Sequence, residues 1–192
     1  SKKWQFNAFG AYGFIDKQFK YGLGTKYIID REKWTTLTLN YRKDVDQFGV
    51  QVNPLTDVSE ESAFIALTQI GNLVRPFRYE KTQFEFARQF SRSFSGALQL
   101  KNQSYQPLFP FRYRTDINDV NSQLGTNFTT SELIVRLKYA RDETFIINDN
   151  NRISLGTFRW PTFLMSYTRG LKGPGGGDFD YHKVDFAVSQ QL

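Results

Sequence analysis

Three observations predict an all-β fold, namely an antiparallel transmembrane β-barrel segment of about eight long strands with one short amphipathic helix in a loop. Apolar and polar residues alternate with period two along most of the 192 residues. The alternating segments are mostly ten residues or longer, against the five or six usual for soluble strands and the nine to eleven that cross a bilayer. Aromatic residues, 17% of the chain, stand near the segment ends rather than in apolar blocks.

The segments run over approximately 4–14, 18–29, 34–43, 77–91, 94–105, 129–141, 157–170 and 180–191. In "WTTLTLNYR", Leu37, Leu39 and Tyr41 oppose Thr36, Thr38, Asn40 and Arg42. "TQFEFARQF" sets Phe84, Phe86 and Phe90 against Glu85, Ala87 and Gln89, and "FSGALQLKN" sets Phe94, Leu98 and Leu100 against Ala97, Gln99 and Lys101. In "SELIVRLKYAR", Leu133, Val135, Leu137 and Tyr139 share one face, with Glu132, Ile134, Arg136 and Lys138 on the other. Val184, Phe186 and Val188 oppose Lys183, Asp185 and Ser189 in the last segment. Gly10, Gly13, Gly22, Gly24 and Gly96 fall inside segments, where glycine marks a bend or a close approach.

The helix is expected in "TDVSEESAFIALTQIGNLV". Asp57 is its N-cap and Glu60 stands three residues on, a capping-box spacing. Ala63, Phe64, Leu67, Ile70 and Val74 form its apolar stripe. Connections near Asp16, Asp30 and Arg92 are tight, whereas those over 44–76 and 106–128 are long and contain Pro. Strand counting places both long connections on one side, which in bacterial barrels is the outer side.

A soluble β-sandwich or lipocalin-like barrel is the competing fold, since it uses the same alternation with the apolar face turned inward. Strand length favours the membrane reading. So do the aromatics at segment ends (Trp4, Tyr12, Phe14; Tyr27, Trp34; Trp160, Tyr167) and the Arg, Lys, Glu and Gln on the polar faces, which suit interfacial girdles and a wet lumen.

Composition narrows the chemistry. There is no Cys and a single His, which argues against disulfides, thiolate catalysis, His-based metal centres and Ser-His-Asp arrangements. Net charge is +6 and the pI about 9.5, yet mean hydropathy is −0.50 and no apolar run reaches membrane-helix length. The basic residues are dispersed, so no nucleic-acid partner is expected.

Several stretches resemble a known family. "GAYGFIDKQFKYGLGTKYII", "WTTLTLNYRKDVDQFG", "ISLGTFRWPTFLMSYTRGLKG" and "DFDYHKVDFAVSQQ" look like the barrel of a Bacteroidota outer-membrane family. Its members join a carboxypeptidase-regulatory-like domain to a barrel of unknown function, itself similar to the BamA-like insertase and translocase superfamily. The resemblance covers nearly the whole chain and implies an integral outer-membrane protein with no catalytic activity to carry over. The 192 residues contain neither that N-terminal domain nor POTRA repeats. The superfamily's Arg-Gly-aromatic loop motif has only an echo in Thr168-Arg169-Gly170-Leu171, with Leu in the aromatic place.

Three stretches invite a site. In "LKGPGGGDFDYHK" the glycines lead into a strand rather than a helix, and Asp178 would repel phosphate, so a phosphate loop is not expected. Asp178, Asp180 and His182 alternate, but they offer too few oxygens for calcium and one His for a transition metal. The stretch reads as a glycine turn entering a strand, with His182 partnerless on the lipid side and Tyr181, Lys183 and Asp185 on the lumen side. "DVDQFG" reads as a solvated strand end, and "NFT" at 127–129 as a chance glycosylation triplet.

No catalytic, cofactor-binding or metal residue is therefore assigned, and no enzyme is expected. The expected protein is a non-enzymatic barrel of the bacterial cell outer membrane, acting in envelope biogenesis or as scaffold of a surface complex. The alternative is a pore or transporter with a basic lumen for anionic solutes. Its expected partners are outer-membrane lipid and lipopolysaccharide, other envelope proteins, and further strands of its own barrel. Residues 1–192 are expected to form part of one larger barrel domain, with segment 4–14 paired to residues outside this sequence rather than to 180–191.

Overall fold

The computed structural model describes residues 3–13, 17–47, 75–114, 124–148, 150–157 and 159–190. The helix expected over 57–74 lies outside the described residues, as do Phe14 and Asp16.

Twelve strands are present among the described residues: β1 (Trp4–Gly13), β2 (Gln18–Asp30), β3 (Thr35–Gln47), β4 (Pro76–Gln89), β5 (Phe94–Pro107), β6 (Tyr113–Arg114), β7 (Leu124–Gly125), β8 (Phe128–Ala140), β9 (Thr144–Asn148), β10 (Asn151–Gly156), β11 (Thr162–Gly170) and β12 (Tyr181–Ser189). Eight form one antiparallel sheet in the order β1-β2-β3-β4-β5-β8-β11-β12. These eight correspond to the eight segments read from the sequence. The segment expected over 157–170 starts late, at Thr162. Proline at 161 lacks the N–H that a ladder needs, and Thr157 instead donates its hydroxyl to the Trp160 carbonyl in a turn. The remaining strands make two small hairpins, β6–β7 and β9–β10.

The sheet is open. β1 pairs only with β2 and β12 only with β11, so no closed ring forms among the described residues. Every link in the sheet is antiparallel, so strand direction alternates. The connections after β3, β5 and β11 therefore leave from one end of the sheet. The short turns after β2 and β4, and the β9–β10 hairpin, lie at the other.

The registers divide the side chains into two faces. Leu39, Phe84, Leu100 and Leu133 align across β3, β4, β5 and β8, and Leu98, Val135, Tyr167 and Val184 align across β5, β8, β11 and β12. This apolar face is the exposed one, with Phe6 74%, Phe19 74% and Phe186 66% accessible. Its charged residues stand toward strand ends: Lys43, Glu80, Arg78 and Arg169 at the long-connection end, Arg88 at the other. Rings gather near both ends. Trp4 lies 4.6 Å from Tyr27, and Phe163 lies 6.3 Å from Tyr139 and 6.4 Å from Phe186. At the opposite end Tyr12 meets Phe19 at 4.9 Å and Tyr21 meets Tyr41 at 5.9 Å.

The polar face is the buried one. Gln99 and Gln103 are 7% and 8% accessible, and Thr36, Ser166 and Thr168 are equally enclosed. A soluble sandwich would reverse this, with apolar side chains in the core and polar ones in water.

The glycine stretch closes the β11–β12 connection as a docked turn. Gly173, Gly175 and Gly176 have positive φ of 93°, 67° and 76°, which glycine adopts without a side-chain penalty. The Gly175 carbonyl accepts from Asn102 Nδ2 at 2.6 Å, and Leu171 N donates to the Ser131 carbonyl at 2.8 Å, so the turn lies against β5 and β8. At Gly177 a Cβ would stand 2.1 Å from the Leu171 carbonyl oxygen. Gly177→Ala should therefore destabilise by about 1–3 kcal/mol. Gly10→Ala, with open space around its Cβ, should stay within about 0.5 kcal/mol. Urea unfolding of the two variants checks the contrast.

Candidate functional site

The polar face holds a lattice of charge pairs, some across neighbouring strands and some along one strand. Lys101 and Glu132 are direct neighbours on β5 and β8, and their side chains meet at 3.1 Å. The Tyr181 hydroxyl donates to the same carboxylate at 2.5 Å. Arg136 on β8 reaches across β5 to pair with Glu85 on β4. Arg42 pairs with Asp44 at 2.7 Å, and Lys183 with Asp185 at 2.9 Å. Tyr181, Lys183 and Asp185 thus share the polar face, as the alternation predicts. Opposite-charge cross-strand pairs stabilise a sheet modestly, by about 0.2–1 kcal/mol each. Their arrangement here keeps ionised groups satisfied along a face from which water is partly excluded.

At the long-connection end this face ends in an aromatic cluster. Tyr105 stacks on Phe128 at 4.6 Å, and Phe179 lies 5.8 Å from Phe128 and 5.7 Å from Tyr113. Tyr113 donates its hydroxyl to the Asn127 carbonyl at 3.2 Å. Burial and the nearby Asp178 carboxylate raise its pKa above the ordinary tyrosine value. Asn127, the first residue of the "NFT" triplet, serves here through its backbone.

At the opposite end the β9–β10 hairpin folds over the polar face. Its tip residue Asn150 accepts from Arg31 Nη2 at 2.9 Å and donates to the Trp4 carbonyl at 3.2 Å, so a hairpin rooted after β8 touches β1 and the end of β2. Arg152 lies over the Phe145 ring at 3.4 Å and the Trp34 ring at 5.7 Å. Glu143 pairs with Lys138 and accepts from the Ser154 hydroxyl. Beneath the hairpin is a cavity of about 450 Å³, walled by Glu85, Arg136 and Lys138 of the sheet and by Glu143, Arg152 and Ser154 of the hairpin segment. Burial lowers the Arg152 pKa, and the Glu143 charge opposes that shift. The segment reading did not draw this hairpin. Its signal is present in "TFIINDNNRISLG", β-prone residues flanking an Asn/Asp run.

The residues of the glycine stretch are committed elsewhere. Asp178 Oδ2 accepts from the backbone N–H of Thr129 at 2.6 Å, and Asp180 pairs with Arg169 at 3.0 Å. His182 is on the apolar face, as expected, but it is not partnerless. Its Nδ1 meets the Tyr167 hydroxyl at 2.6 Å and its Nε2 meets the Arg169 guanidinium. A guanidinium can only donate, so the ring nitrogen is the acceptor in its contact with Arg169. The sequence reading missed these partners because they lie on β11, across the turn. Arg169, in the Thr168-Arg169-Gly170-Leu171 echo, is held by Asp180 and His182 on the apolar face. Among the described residues no three His, Cys, Asp or Glu side chains come together. Asp44 of "DVDQFG" is taken by Arg42, while Lys43 points to the other face and pairs with Glu80.

His182→Ala removes a capping contact from a half-buried Arg169 and should cost about 1 kcal/mol or less without loss of the fold. Chemical unfolding beside Tyr167→Phe, which loses only one of the two contacts, checks the assignment.

No match was found among curated proteins or among solved structures. Residues 1–192 match a domain described as "Family of unknown function (DUF5686) C-terminal domain". With the match spanning the whole sequence, the chain belongs to the DUF5686 family, as its C-terminal domain.

Proposed function

We propose that this domain forms part of the wall of a β-barrel in the bacterial outer membrane. Its role is non-enzymatic, in envelope biogenesis or as the scaffold of a surface complex. One observation carries the reading: the exposed face of an eight-strand sheet is apolar, with its charged residues toward strand ends and aromatics near both. Outer-membrane barrels present such a band to lipid and keep their polar residues inside. The resemblance to a Bacteroidota outer-membrane barrel supports the same assignment. The long-connection end faces out of the cell, and the β9–β10 end faces the periplasm.

In lipid, each unpaired backbone group costs several kcal/mol. The free edges of β1 and β12 are accordingly closed by further strands of a larger barrel. A second reading, a pore or transporter for anionic solutes, is favoured by the cations on the polar face, Arg42, Lys101, Arg136 and Lys183 among them. Conductance in planar bilayers separates the two, since a scaffold with a filled lumen passes no steady current.

On fractionation, the protein should enter the outer membrane and require detergent for release. Recovery as a soluble monomer after osmotic shock would sink the reading. Val135→Arg, at the centre of the apolar face, should cost about 2–4 kcal/mol in a bilayer folding assay. Val135→Leu should be neutral. Arg136→Ala, on the polar face, should cost about 1 kcal/mol or less. Equal penalties for Val135→Arg and Arg136→Ala would contradict the assigned faces.

A further inference from the structure

The cavity beneath the β9–β10 hairpin has unequal charges. On its walls Arg136 is matched by Glu85 and Lys138 by Glu143, while Arg152 forms no salt bridge among the described residues and meets the Glu143 charge only at longer range. The Nε–H groups of Arg136 and Arg152 are buried and have no hydrogen-bond acceptor among the described residues. Burying a donor of that kind without an acceptor is costly, and native proteins rarely leave one.

The Arg152 guanidinium also lies flat on the Phe145 ring, 3.4 Å from its centroid, with Trp34 at 5.7 Å. Stacking of this kind uses the face of the guanidinium and leaves its in-plane N–H fork available. A planar fork outside any salt bridge among the described residues is the geometry that takes a carboxylate or phosphate group with two parallel hydrogen bonds. The cavity is large enough for a small solute, and Ser154 adds a hydroxyl to its wall.

We propose that this cavity binds a small soluble oxyanion, a phosphate or carboxylate group, with Arg152 as the principal ligand and Arg136 as the second. The site is formed jointly by the sheet wall and the hairpin. Binding an anion there ties the hairpin to β4 and β8 in addition to its existing contacts with Trp4 and Arg31. The proposal requires neither conduction nor a membrane location, so its failure would leave the barrel reading standing.

Titration calorimetry of the whole chain, in the detergent or buffer that keeps it monodisperse, tests the site with inorganic phosphate and with acetate. Saturable phosphate binding is expected, accompanied by a change in Trp34 fluorescence that is lost in Trp34→Phe. Arg152→Gln should weaken binding by about tenfold or more, the loss of a charge-assisted hydrogen bond. Arg152→Lys should weaken it less, since the charge remains and the fork is lost. Asn150→Ala loosens the hairpin tip without removing a cation, and should retain most of the binding. Lys43→Gln, on the other face, should bind as wild type. The proposal is overturned if phosphate and acetate give no saturable signal, or if Arg152→Gln binds phosphate like wild type. It is equally overturned if Asn150→Ala loses as much as Arg152→Gln, which would make the effect one of hairpin position. Arg152-dependent binding to phosphatidylglycerol vesicles without binding of inorganic phosphate would overturn the soluble ligand in favour of a lipid headgroup.

Discussion

The cross-strand hydrogen-bond ladder imposes one constraint on everything else in this domain. Once Leu133 and Arg136 are placed in one strand, the pleat assigns them to opposite faces, and the registers carry that assignment through β3, β4, β5, β8, β11 and β12. Among the described residues no second sheet covers the apolar face, whose Phe6, Phe19 and Phe186 stay exposed. The polar face receives the hairpin, the aromatic cluster and the charge pairs. An arrangement that would be frustrated in water becomes consistent when the surroundings of the sheet are apolar and its interior is wet, the environment of a barrel wall.

The strands were legible because the alternation needs no tertiary information. Leu37-x-Leu39-x-Tyr41 states its own faces, and so does Leu133-x-Val135-x-Leu137. Boundaries were less legible where punctuation overrides pattern. Thr157 to Pro161 resembles a strand by composition but turns, and the chain resumes its ladder only at Thr162. The site was hardly legible at all. Arg152, Trp34, Arg136 and Glu85 belong to four separate stretches, and only the fold of the hairpin across the sheet brings them to one cavity. Likewise His182 reads as isolated until the β11–β12 register sets Arg169 opposite it.

The two ends of the polar face are closed by different physics. Rings close one end: Tyr105, Phe128, Phe179 and Tyr113 fill it through contact area and ring geometry, with the Tyr113 hydroxyl donating to the Asn127 carbonyl. A hairpin carrying charge closes the other, held at its tip by one asparagine. Between them run the ion pairs of Lys101 with Glu132 and of Arg136 with Glu85.

The order of the strands also bears on how the chain reaches this state. In the eight-strand sheet every strand pairs with its predecessor in sequence or is separated from it only by a small hairpin. Such a meander can zip up by successive closures of neighbouring strands, across short turns after β2 and β4 and across longer connections after β3 and β5. The contact between Asn150 and Trp4 is different, since it joins residues 146 positions apart. It requires β1 through β8 to stand in place beforehand, so an amide-exchange probe on the hairpin would report the assembly of those strands of the sheet rather than local order.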